Sequence, residues 1–161
     1  MSEDPGRENA EGPHPRAAEL HPRAAELVGL ARAAAERAYS PYSKVCVGAA
    51  LLARSGEIHT GCNVENASYG LTLCAERSAV VEAVSEGDSE FEAIAIWSSL
   101  QRPLHACGAC RQVLNEFAPR LRVIVAHDGG ALTERGLEEL LPGAVSPADI
   151  HAARGGDASG A

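Results

Sequence analysis

The chain has 161 residues, 45% of them hydrophobic and 22% charged, with a formal net charge of −8. That length and mix describe one soluble globular domain with a sizeable core. The acidic balance argues against a duplex nucleic-acid binder, which carries a basic stripe, and no apolar run reaches the roughly 18–20 residues of a membrane span; a small-molecule substrate fits better.

Residues 1–22 are expected to form an N-terminal tail, with residues 1–13 rich in Pro, Gly, Glu and Asp and nearly free of apolar side chains. The opening stretch has no apolar centre, so no secretory signal is expected and the default location is the cytoplasm, where thiols stay reduced. His14-Pro-Arg-Ala-Ala-Glu-Leu20 is repeated at once as His21-Pro-Arg-Ala-Ala-Glu-Leu27. Two copies are too few for a solenoid. The domain proper is expected over residues 23–153, with a C-terminal tail at 154–161.

Arg23 to Ala38 predicts a helix, with Leu27, Leu30, Ala31 and Ala34 on one face. Tyr39-Ser-Pro-Tyr-Ser-Lys44 breaks it. Val45 to Leu52 and Ile58 to Val64 read as a hairpin about Ser55-Gly56, and Gly48 marks a close backbone approach. A second helix is predicted from Leu73 to Ser85, a buried strand from Phe91 to Trp97, and a third helix from Ala109 to Phe117. Leu121 to Ala126 is another strand. Thr133 then caps a short segment through Leu140, and Ser146-Pro147 opens a last short helix. Strands alternating with helices give an α/β fold with a mixed sheet covered by helices.

Five cysteines are present: Cys46, Cys62, Cys74, Cys107 and Cys110. A Cys-x-x-Cys spacing in a reduced compartment points to a metal or a redox pair. A helix starting between Cys107 and Cys110 turns both sulfurs to one side, and its first amides favour the thiolate form. Cys74 stands at another predicted helix start. Three thiolates at about 2.3 Å fill three corners of a zinc tetrahedron and leave the fourth for water.

Glu76, two residues on, can reach that water without binding the metal and serve as the proton shuttle. Arg77 can offset the charge of the thiolates. Taken singly, Cys107-x-x-Cys110 fits a redox pair or structural half-site equally well, Cys74 a small buried hydrophobe, and Glu76 a solvated helix residue. Together they match the zinc deaminase pattern of a cysteine, a non-ligating glutamate two residues later, and a downstream Cys-x-x-Cys.

Over residues 30–152 the sequence resembles the small cytidine deaminases that hold zinc with three cysteines. The likeness rests on Ala38-Tyr-Ser-Pro-Tyr-Ser-Lys44, Val47-Gly-Ala-Ala-Leu51, Gly61-Cys-Asn-Val-Glu-Asn-Ala-Ser-Tyr-Gly70, Cys74-Ala-Glu-Arg77, Cys107-Gly-Ala-Cys-Arg-Gln-Val113 and Glu138-Glu-Leu-Leu-Pro-Gly143. It implies a three-layer fold with a five-stranded mixed sheet flanked by helices, and a homotetramer whose active sites are completed by neighbouring subunits. It also implies hydrolysis of cytidine and deoxycytidine to uridine and deoxyuridine, with release of ammonia. By this likeness Cys74, Cys107 and Cys110 bind one zinc per subunit, Glu76 moves the protons, Asn63 and Glu65 hold the ribose hydroxyls, and Ala75 reads the base edge. Tyr42 and Tyr69 are loop aromatics able to line the pocket. Cys62 is expected as a buried strand residue, and His14, His21, His59, His127 and His151 have no assigned role.

The chain departs from that family in three places. Val45 and Val145 stand where pyrimidine-stacking aromatics are usual, the second of which reaches in from another subunit, and His105-Ala106 replaces a usual Ser-Pro before Cys107. His105 is expected to face solvent, the alternative being an approach to the metal or substrate. The two valines motivate an alternative substrate, a modified or bulkier cytosine nucleoside such as an aminoacylnucleoside antibiotic or an N4-substituted cytidine. A more distant alternative is a zinc-stapled binding protein with no turnover.

Overall fold

The structure is a computed structural model, and it describes residues 20–130, 132–146 and 148–150. The expected tails, apart from Leu20 to Pro22, lie outside the described residues, as do His14, His151 and the first copy of the repeat up to its last residue. The second copy, from His21, leads into α1 (Ala24–Ala35). There follow β1 (Val47–Ala53), β2 (Ile58–Cys62), α2 (Ala75–Ser85), β3 (Phe91–Ser98), α3 (Gly108–Phe117), β4 (Arg122–His127), β5 (Leu132–Gly136) and α4 (Leu137–Leu140).

The strands form one mixed sheet in the order β2-β1-β3-β4-β5. β3 and β4 run parallel, joined across one face by α3, while the other neighbours are antiparallel. The alternation of side chains along each strand sorts the core into two layers. Ala49, Leu51, Ile94, Ile96, Val123 and Val125 face α2 and α3. Ala50, Leu52, Ala93, Ala95 and Ile124 face Leu27 and Ala31 of α1. Because β1, β3 and β4 are covered on both faces, they read in the sequence as continuous apolar runs.

Two glycines bring the helices down onto this sheet. A Cβ on Gly48 would lie 1.9 Å from the Ala31 carbonyl oxygen and 2.6 Å from the Ala35 nitrogen, so α1 rests on bare backbone. On the other face a Cβ on Gly61 would lie 2.4 Å from the Ala79 nitrogen and 2.5 Å from the Ala75 oxygen. The first turn of α2 is thereby pressed against β2.

The segment expected to run from Thr133 through Leu140 as one capped piece is two elements. β5 takes Leu132–Gly136, and the single turn of α4 follows. β5 is half-buried at every position, so Leu-Thr-Glu-Arg-Gly carries no alternation for a sequence reading to detect. It is held by its ladder to β4 and by an ion pair between Arg122 and Glu134. Residues 148–150 are helical, and the Ser146 hydroxyl accepts the Asp149 N–H at 3.4 Å, while the rest of that expected helix lies outside the described residues.

The histidines without a sequence role fasten the scaffold. His21 is buried, its Nε2 lies 2.9 Å from Glu92 Oε1, and its N–H donates to Glu134 Oε2 at 2.8 Å. His59 Nε2 lies 2.8 Å from Asp88 Oδ2, which also accepts from the Ser55 hydroxyl at 3.0 Å. Those two bonds hold the Asp88 carboxyl below the usual carboxylate range, the histidine contributing most. His127 Nδ1 accepts the Gly129 N–H at 3.0 Å.

The two close approaches set the stability expected of glycine variants. Gly48→Ala forces α1 away from β1 and should cost about 1–3 kcal/mol, lowering Tm by about 2–4 °C for each kcal/mol. A Cβ on Gly29, within α1, would meet nothing within 4 Å, so Gly29→Ala should raise Tm instead. Thermal unfolding of both variants checks the pair, and an unchanged Tm for Gly48→Ala would contradict the packing.

Candidate active site

Cys74 and Cys107 are the N-cap residues of α2 and α3, both with extended backbone (ψ 154° and 165°). Cys110 lies in the first turn of α3 and is fully buried. The three sulfurs lie within 4.8 Å of one another and are the only such group of potential ligands among the described residues. Cys74 Sγ is 4.0 Å from Cys107 Sγ, which is 3.4 Å from Cys110 Sγ. A zinc tetrahedron with sulfur at about 2.3 Å has edges of about 3.8 Å, so this donor set fits a zinc ion.

The electrostatics of the cluster favour the thiolate at Cys74. The Cys74 thiol is lowered to about 5, first by a hydrogen bond from Cys110 and then by the Arg77 guanidinium. Cys110 is pushed up because it donates that bond and is buried. Arg77 Nη2 donates to the Thr72 carbonyl at 2.8 Å and stands 3.9 Å from Cys74 Sγ. Glu76 is only 5% exposed. Burial is the largest influence on its carboxyl and pushes it up, and the neighbouring Cys74 charge adds to this.

An inner cavity of about 260 Å³ opens over the cluster, lined by Cys74, Cys107, Glu76, Ala75, Asn63 and Val45 among others. An outer cavity of about 370 Å³ adjoins it, the two sharing Ser43 and Thr72. Glu65, Tyr42 and Tyr69 line the outer one, the two rings edge-on with centroids 6.0 Å apart.

Asn63 and Glu65 also build the rim. Asn63 Oδ1 accepts the Val47 N–H and its Nδ2 donates to the Val45 carbonyl, each at 2.9 Å. Glu65 accepts the N–H groups of Tyr42 and Ser43 at 2.9 and 3.2 Å and the Ser43 hydroxyl. These bonds hold the loop in which Lys44 takes a left-handed φ of 61°, and so they place Val45.

Residues 22–127 match the family model of the cytidine and deoxycytidylate deaminase zinc-binding region. The chain belongs to the cytidine and deoxycytidylate deaminase family. A cytidine deaminase of Sporosarcina psychrophila is 46% identical over 125 residues, covering 77% of this chain and 92% of that protein. The crystal structure of cytidine deaminase from Burkholderia pseudomallei superposes with a TM-score of 0.73 at 44% identity, over 75% of this chain and 98% of that one. A blasticidin-S deaminase of Bacillus cereus is 32% identical over 105 residues, covering 60% of this chain and 74% of its own.

Within this deaminase fold, two outcomes differ from the sequence reading. His105, expected to face solvent, lines the inner cavity with Leu104. The sequence places that loop just ahead of a ligand, which was the available signal. Cys62, expected to be buried, ends β2 half-buried, its Sγ 3.5 Å from the Arg37 carbonyl oxygen. Val145, expected to act from a neighbouring subunit, lines neither cavity of its own chain; it is 56% exposed, and its carbonyl is held from α3. Thr72, Ser43 and Ile96 are lining residues that the sequence did not single out.

The sulfur geometry sets the expected metal content. Purified protein should carry one zinc per chain by atomic absorption, and Cys110→Ser should lose stoichiometric zinc. Full zinc content in Cys110→Ser would remove that cysteine from the ligand set.

Proposed function

We propose that this protein catalyses the hydrolytic deamination of cytidine and deoxycytidine to uridine and deoxyuridine, with release of ammonia. The observation that carries this reading is the buried Glu76 carboxylate on the wall of a cavity that also exposes Cys74 and Cys107. Cys74, Cys107 and Cys110 would hold the zinc. Bound zinc supplies Lewis acidity, which makes water a stronger acid near neutral pH.

The chain's own residues do the rest. Glu76 takes a proton from the attacking water and delivers protons to N3 and to the departing amine, so that water and cytidine become uridine and ammonia. Arg77 offsets the charge of the thiolates. Asn63 keeps one amide hydrogen, and Glu65 about one of its roughly four acceptor positions, for the ribose hydroxyls. The backbone at Ala75 reads the base edge. Val45 forms the wall of the inner cavity in this reading.

A homotetramer with shared sites accounts for Val145, whose side chain is turned outward and would reach a neighbouring pocket. Exposed Tyr69 and Leu71, 75% and 71% accessible, support a covered surface near the cavity mouth. The thiol-rich site suits the reducing cytoplasm. No helix of the described residues is long and apolar enough to cross a membrane.

A second reading has support of its own. The small Val45 side chain and an adjoining cavity that shares Ser43 and Thr72 with the inner one favour a bulkier cytosine nucleoside, and the similarity to a blasticidin-S deaminase agrees with this.

Two measurements test these readings. Glu76→Gln should keep its zinc yet lose about 10²–10⁴-fold in ammonia release from cytidine; full activity would exclude the shuttle, and ammonia release by the parent excludes a purely zinc-stapled binding protein. A Val45→Phe/Val145→Phe variant should gain about 1–3 kcal/mol of stacking on cytidine and lose turnover of bulkier analogues. If kcat/KM for cytidine stays the same, the wide-pocket reading is wrong.

A further inference from the structure

Arg111 follows the last of the three cysteines and lines neither cavity. Its guanidinium nevertheless reaches two backbone carbonyls on separate segments. Nε–H donates to the Ala106 oxygen at 2.7 Å, and Nη1–H donates to the Leu140 oxygen at 2.7 Å. Its own N–H donates to the Cys107 oxygen at 3.0 Å in the first turn of α3.

Each of those segments matters to the site. Residues 99–107 have no regular secondary structure, so no ladder of backbone bonds fixes their path. Leu104 and His105 form cavity wall, Ala106 is fully buried, and Cys107 carries a sulfur of the cluster. The Ala106 carbonyl lies between wall and ligand, and the bond from Arg111 anchors it. Leu140 begins the segment that ends at Val145, whose carbonyl accepts from Gln112 Nε2 at 2.8 Å and Asn115 Nδ2 at 3.3 Å. One helix therefore carries two of the three cysteines and grips both the wall loop and the C-terminal segment.

We propose that Arg111 is a positioning residue for the deamination: its planar guanidinium sets the wall at Leu104 and His105 and the Cys107 sulfur against the segment that leads to Val145. This rests on the zinc deaminase reading above. The rigid fork of arginine matches two carbonyls at one distance, whereas the single ammonium of lysine cannot hold both in that plane. Without the fork a buried carbonyl loses its donor, the wall loop shifts, and Cys107 is held less firmly. The expected signature is weaker substrate binding together with faster zinc loss.

The test compares zinc-loaded parent with Arg111→Lys, Arg111→Gln and Gln112→Ala. The readouts are kcat and KM for cytidine by ammonia release, zinc transfer to a chromogenic chelator, and thermal unfolding. Both Arg111 variants should show KM raised about tenfold and zinc transfer about tenfold faster, the usual scale for groups that support a metal's ligands. Gln112→Ala, which spares Ala106, should release zinc at the parental rate. Parental KM and zinc transfer in either Arg111 variant overturn the proposal, even where Tm falls, because lowered Tm alone marks a purely structural residue. Arg111→Lys keeps charge and bulk, so it carries the test if Arg111→Gln does not fold. Ammonia release by the parent reports on the deaminase reading by itself. The chelator measurement decides the role of Arg111 whichever nucleoside is the substrate.

Discussion

Sulfurs from two helix starts 33 residues apart must meet, and the rest of the molecule is arranged to let them. Two like charges 4 Å apart repel by about 4 kcal/mol at the effective dielectric of a protein surface. Three thiolates at these separations therefore need compensation. The open N-termini of α2 and α3 supply oriented N–H groups, Arg77 supplies a positive charge at 3.9 Å, and a zinc ion suits the remaining excess. Placing cysteine at both N-caps also leaves the sulfurs at the ends of rigid elements, where their separation is set by helix packing rather than by loop conformation.

That packing depends on close backbone contact. Gly61 lets the first turn of α2 rest on β2, and this aims Glu76 into the cavity while burying it. Gly48 does the same for α1 on the opposite face. The parallel pair β3–β4 forces a crossover through α3, whose start just beyond the central strand β3 carries Cys107 and Cys110 at the end of the sheet where α2 also begins. The sheet order thus brings the two halves of the cysteine cluster together.

The pocket rim has a different construction. It is made of loops, and side-chain bonds to backbone hold it: Glu65 and Asn63 grip residues 42–47, and Arg111 grips Ala106. Residues expected to touch substrate thus also shape the cavity. Substitutions at Asn63 or Glu65 will accordingly alter the position of Val45 as well as any hold on the ribose proposed for them, and KM for substrates with and without the ribose hydroxyls separates the two effects.

Much of this was legible in the chain. Strands alternating with helices announced a mixed sheet covered by helices, Phe91 to Trp97 announced a buried strand, and Gly48 announced a close approach. Cysteine and glutamate spacing named the metal chemistry, because two residues at a helix start and a Cys-x-x-Cys at another restrict the geometry locally. β5 was not legible, since an edge strand of half-buried polar residues has neither period nor apolar contrast. The grip of Arg111 was hidden too, and the place of His105 just ahead of a ligand hinted at its inward turn without settling it. Those depend on which segments become neighbours after the sheet closes, and no local spacing encodes that. The sequence alone determined the reaction type, through residues within a few positions of one another; the tertiary structure alone decided the shape of the wall around it, because that wall is assembled by long-range hydrogen bonds between loops.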